Sequence, residues 1–137
     1  MASDGSEFLE RWHRIVENRD LDALEAILAE APSLGAPPYW QKLTGRDVVH
    51  HLLGIIIETI EGFTYHREWI NERELALEFT GKVAGMDLQG IDLITIDEAG
   101  QLVNIDVMIR PINAVTALME RVTPRMTEFS AARSTGD

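Results

Sequence analysis

Residues 85–111 read GMDLQGIDLITIDEAGQLVNIDVMIRP, and the alternation within them decides the fold. Successive strand side chains point to opposite faces. Met86, Leu88, Gly90, Asp92, Ile94 and Ile96 therefore share one face, and Asp87, Gln89, Ile91, Leu93, Thr95 and Asp97 share the other. The first set is the more apolar and is expected to point inward. Asp97-Glu98-Ala99-Gly100 has turn composition, after which the period of two returns. Val103, Ile105, Val107 and Ile109 form an aliphatic face expected inside, opposite a mixed face of Leu102, Asn104, Asp106, Met108 and Arg110. Pro111 ends the strand because it has no N–H to give a ladder.

Working backward, Leu75 to Ala84 and Phe63 to Ile70 also alternate, divided by Gly85 and Asn71-Glu72. Before Gly62 the period is helical. Phe8, Leu9, Trp12, Ile15 and Val16 make one stripe. Asp20 is placed to cap a second helix bearing Leu21, Leu24, Ile27 and Leu28, which Pro32 is expected to end. Pro32 to Leu43 carries Pro37 and Pro38 and reads as an extended loop with a short strand near Leu34. Thr44 and Asp47 have capping-box spacing at the head of a third helix bearing Val49, Leu52, Leu53, Ile56 and Ile60. Ala114 to Met126 suits a short terminal helix. Helices followed by a meander predict an α+β fold, a curved antiparallel sheet wrapped around three N-terminal helices. One domain is expected over 7–129, with 1–6 and 130–137 disordered because they offer little apolar surface.

Composition narrows the partners. The 137 residues are 45% apolar and 26% charged, ordinary for a globular domain. Twenty-three acidic residues against 12 Lys plus Arg give a net charge of −11, which disfavours nucleic acid and anionic membrane surfaces. Without cysteine there is no disulfide, thiol nucleophile or Cys-ligated zinc. The longest uncharged apolar run, Leu52 to Ile57, is too short to cross a bilayer, and the polar start lacks a secretory pattern. A cytoplasmic location is expected. No metal site is expected: adjacent His50 and His51 project about 100° apart on a helix and cannot readily clasp one ion. No phosphate-binding glycine loop or Gly-x-Ser-x-Gly elbow occurs, and no cofactor is expected.

Asp92 is the one ionisable residue on its inward face. An unpaired carboxyl there tends to keep its proton; it reads either as a functional acid or as a buried group satisfied by a neighbouring hydroxyl or amide. Trp12 needs an acceptor for its indole N–H, with Asp92 the candidate. Tyr39 and Trp40 read either as a lid over an apolar ligand or, the preferred reading, as closure of the core. Each histidine reads by default as solvated or locally paired, as His51 would be by Asp47 four residues earlier. Ile91, Leu93 and Met108 leave apolar groups on the outer sheet face, which suggests a homodimer contact.

The helix junction Asn18-Arg19-Asp20-Leu21-Asp22, the Gly45 helix entry, Gly90-Ile91-Asp92, the Asp-Glu-Ala-Gly turn and the Ile109-Arg110-Pro111 ending occur in an order that resembles the nuclear transport factor 2-like superfamily. That superfamily includes ketosteroid isomerase, limonene epoxide hydrolase and SnoaL-like polyketide cyclases, and the resemblance covers about Phe8 to Met126. It implies a cone with a deep apolar pocket and a frequent homodimer through the outer sheet face. By comparison with the isomerase, Asp92 falls where a carboxylic acid donates to the substrate oxyanion. Trp12 falls at its tyrosine partner and Leu53 at a second, supporting tyrosine. Ala36 falls where the catalytic base belongs, and an alanine moves no proton. The Arg-x-Asp pair of the epoxide hydrolase is absent. The reading is a protein that binds a small, mainly apolar molecule through Trp12, Tyr39, Trp40, Leu53, Asp92 and Ile109. The alternatives are a SnoaL-like cyclase or isomerase using Asp92 as acid or base, and a non-catalytic homodimeric interaction module.

Overall fold

The computed structural model describes residues 5–135. Helix α1 spans Gly5–Asn18 and buries the expected stripe of Phe8, Trp12, Ile15 and Val16. Gly5 and Ser6 belong to this helix rather than to a disordered start. The Gly5 N–H donates to the Glu72 carbonyl at 2.8 Å, which ties the first turn to the sheet. Residues 1–4 and 136–137, also expected to be disordered, lie outside the described residues.

Asp20 caps α2 (Leu21–Ala26) by accepting from the Ala23 N–H at 3.1 Å. This helix is shorter than its apolar spacing predicts. Leu28 already opens strand β1 (Leu28–Gly35), and Pro32 lies within that strand instead of ending a helix. Tertiary pairing explains the change: the Leu102 N–H donates to the Ile27 carbonyl at 2.8 Å, and Leu28 pairs with Leu102. Pro32 is tolerated because the register breaks between Leu28 and Ser33. The two-residue strand β2 (Leu43–Thr44) pairs with β1. Helix α3 (Arg46–Thr59) starts after Gly45 without a side-chain cap. The expected Thr44–Asp47 box does not form, since β2 holds Thr44.

Strands β3 (Glu61–Asn71), β4 (Glu74–Val83), β5 (Met86–Ile96) and β6 (Leu102–Arg110) are the predicted meander. The curved, unclosed sheet runs β2-β1-β6-β5-β4-β3. It is antiparallel apart from the β1–β6 pair, which is parallel. The inward set of β5 is as expected, with Leu88, Gly90, Asp92, Ile94 and Ile96 all buried. In β6 the prediction fails at one end. A register shift between Thr95 and Ile96 turns Leu102 inward and leaves Val103 half-buried, while Ile105 and Val107 are buried as predicted.

Helix α4 (Ile112–Thr135) is far longer than the predicted terminal helix and takes in residues 130–135, expected to be disordered. Ala131, Ala132 and Arg133 have high helix propensity. The extension is anchored where Phe129 stacks on His51, with ring centroids 4.1 Å apart. Ala114, Leu118 and Val122 of α4 join the core beside α3 and the sheet, so four helices cover the inner side.

Candidate functional site

Asp92 sits on the inner face of β5 between Leu77 of β4 and Val107 of β6. Only 4% of it is exposed. Tyr65, from β3, donates its hydroxyl hydrogen to Asp92 Oδ2 at 2.6 Å. That hydroxyl oxygen accepts from Trp12 Nε1 at 2.8 Å. The indole thus reaches Asp92 through Tyr65 rather than directly, in a chain Trp12→Tyr65→Asp92. Phe8 stacks on Trp12 and Phe79 meets Tyr65 edge-on, so both donors are held by packing. Burial pushes the Asp92 carboxyl up to about 7, against the opposing pull of the Tyr65 hydrogen bond. Burial first, and the neighbouring Asp92 charge second, push Tyr65 well above the ordinary phenol value. At neutral pH Tyr65 therefore keeps its proton, and Asp92 lies close to the midpoint of its own titration. Protonated Asp92 can donate from Oδ1 while Oδ2 still accepts from Tyr65.

Tyr65 was missed in the sequence. It lies on the inward alternation of its strand with Phe63, and the unmet indole donor of Trp12 was the available clue. Tyr65→Phe is expected to destabilise the protein by about 1–3 kcal/mol, because it leaves the indole without an acceptor and Asp92 without its donor. It should also move the Asp92 titration upward, as NMR of the carboxyl carbon would show. An unmoved titration would mean that Tyr65 does not hold the acid.

A cleft of about 740 Å³ opens beside this chain. Leu52 and Ile56 of α3, Val107 and Ile109 of β6, and Leu118 and Val122 of α4 form its apolar wall. Tyr39 and Trp40 stand at its edge, 69% and 96% exposed. They do not close the core, as the preferred reading had it; the cleft separates them from it. Ile109, Tyr39 and Trp40 of the expected ligand-binding set line the cleft, whereas Trp12, Leu53 and Asp92 do not. Leu53 points into the core because it is about 100° round the helix from Leu52. Asp92 is paired across the ladder with Val107, which does line the cleft. Ala36 lies on the wall, and among the described residues no carboxylate or imidazole does. A proton-abstracting base is therefore absent from the lining.

The histidines are held locally. His13 meets Glu68 at 2.5 Å, His50 meets the Leu21 carbonyl at 2.7 Å, and His66 meets the Thr80 hydroxyl at 2.7 Å. His51 stacks on Phe129 instead of pairing with Asp47, and burial, followed by the Arg125 charge, lowers its pKa. Among the described residues no group of three or more His, Asp or Glu is placed to hold a metal ion. No helix among them is long and apolar enough to cross a membrane.

The chain is 32% identical to a steroid delta-isomerase of Pseudomonas aeruginosa, over 93% of this chain and 94% of the other, with a TM-score of 0.86. It is 31% identical to an uncharacterised bacterial protein with a cystatin-like fold from Silicibacter pomeroyi DSS-3, over 93% and 90%, also with a TM-score of 0.86. The chain belongs to the nuclear transport factor 2-like superfamily. Another nuclear transport factor 2-like protein, of unknown function, from Mesorhizobium loti shares the fold at 17% identity, over 77% and 90%, with a TM-score of 0.68. No family model matches the chain, and no curated protein does.

Proposed function

We propose that this nuclear transport factor 2-like protein binds a small, mainly apolar molecule in the cleft, its oxygen-bearing end directed past Val107 toward Asp92. The observation that carries the reading is the apolar cleft of about 740 Å³ with no base on its wall, beside a carboxyl raised to about 7. Such a volume suits a drug-sized or steroid-sized guest. Asp92 does not line the cleft, and no carboxylate or imidazole among the described residues does, so none stands on the wall to abstract a proton and binding is favoured over isomerisation. The identity to a steroid delta-isomerase supports a polycyclic ketone as the first probe.

The same proposal includes a homodimer. Ile91 and Met108 pair on the outer sheet face beside Leu93, and Met108 is 53% exposed there. Sedimentation equilibrium is expected to give twice the chain mass, and Met108→Glu to give the monomer.

A steroid enone is expected to raise the melting temperature of the wild type more than the matched hydrocarbon lacking the ketone. Asp92→Leu should abolish that difference, since it keeps the site filled but removes the donor. Equal shifts by the two compounds would remove Asp92 from the proposal. Isomerisation of a β,γ-unsaturated ketone by the wild type would overturn the binding-only reading.

A further inference from the structure

We infer that the mouth of the cleft is a second subsite, which takes the anionic end of an amphiphilic ligand on Lys42. This inference rests on the cleft being a binding site, as proposed above. Among the described residues nineteen line the cleft and none of these is acidic, in a chain that holds 23 acidic residues. Among the described lining residues Lys42 is the one that carries a positive charge, and it lies at the mouth beside Trp40 and Gln41. Residues 31–46 around it contain Lys42 and Arg46 and no Asp or Glu. The long-range charge of −11 repels anions, but it is screened beyond about 8–10 Å at physiological salt, and the local lining governs what is held.

Lys42 is ion-paired with Asp106, whose Oδ1 lies 3.1 Å from Nζ, and its ammonium still has an exposed side. Nζ donates to Asn104 Oδ1 at 2.9 Å and to Asp106 Oδ2 at 3.2 Å. An ammonium has three N–H donors, so one remains for a ligand while two anchor the side chain. Asp106 also accepts from Asn104 Nδ2 at 3.0 Å, so its oxygens are not left to Lys42 alone. The side chain is 44% exposed, which lets a ligand approach without unfolding the loop. Opposite, Thr123, Thr127 and Ser130 of α4 give that end of the cleft a hydroxyl-bearing rim. The deep wall is apolar and the mouth is polar with a cation. An elongated guest with a carboxylate, sulfate or sulfonate at its outer end matches both.

Two fluorescent probes with the same ring system test this in the full-length protein: the sulfonate 8-anilinonaphthalene-1-sulfonate and the uncharged N-phenyl-1-naphthylamine. The sulfonate is expected to bind about fivefold tighter, the scale of one partly exposed charge pair. The ratio should fall toward one in Lys42→Met and in high salt, and be retained in Lys42→Arg. Ile109→Trp, which fills the cleft floor, should weaken both probes. Equal binding of the two probes, an unchanged ratio in Lys42→Met, or sulfonate binding that survives Ile109→Trp overturns the subsite alone. Failure of both probes to bind overturns the cleft reading and the subsite with it.

Discussion

Asp92→Asn is expected to be more stable than the wild type above pH 7, with the advantage shrinking to nothing toward pH 4. The ordinary value of the carboxyl is 3.8, and burial raises it to about 7 in the folded protein. Between these values the folded state holds a proton that the unfolded chain has released. Stability therefore falls as pH rises through the window, by about 1.4 kcal/mol per unit, for a total on the order of 4 kcal/mol. Below 3.8 both states are protonated and the penalty is absent. Asparagine does not titrate, and its carbonyl still accepts from Tyr65. Glu78, which the Arg67 hydrogen bond holds down to about 2, titrates in the opposite sense below pH 4.5 and cancels in the comparison. Urea unfolding of both proteins from pH 4 to 8 measures the difference. Parallel stability curves would show that Asp92 is ionised and paired throughout.

The second large effect is expected at Gly90, opposite Ile109 on β6 and Phe79 on β4. A Cβ there would collide with Phe79 Cζ, lie 2.8 Å from Phe79 Cε2 and lie 2.5 Å from the Met108 carbonyl oxygen. Phe79 cannot easily yield, because it stacks on Phe63 at 4.6 Å and is fully buried. Gly90→Ala should destabilise by about 3 kcal/mol, at the upper end for overpacking. Phe79→Leu in the same chain should recover only part of that, since the carbonyl is backbone and stays. A single-variant loss under 1 kcal/mol by denaturant titration would contradict this packing. The displaced ring also abuts Tyr65, so the Asp92 titration should move in the same variant.

The sequence made the meander legible because a period of two over Met86 to Ile96 and Leu102 to Arg110 has no helical equivalent. It also revealed Asp92, since one carboxyl among inward aliphatics stands out against a simple pattern. What failed was set by distant contacts. Ile27 and Leu28 fit a helix stripe as well as a strand start, and only the pairing with Leu102 decides between them. Tyr65 was hidden because its meaning depends on Trp12, which arrives from another element. Trp40 was misplaced because aromatic size predicts burial, and nothing local says that the loop stands off from the core across a cleft.

The parallel partnership of β1 with β6 has a consequence for biosynthesis. Leu28 and Leu34 leave the ribosome early, yet the backbone groups they are matched to belong to Leu102 and Ile105. Until those residues have been made, the nascent chain carries an unsheltered oily edge beside a hairpin meander that can assemble from neighbours. Closure by such sequence-distant contacts is slow compared with local pairing. Protection of the early segment during translation therefore matters more for this chain than for one whose strands all meet in order.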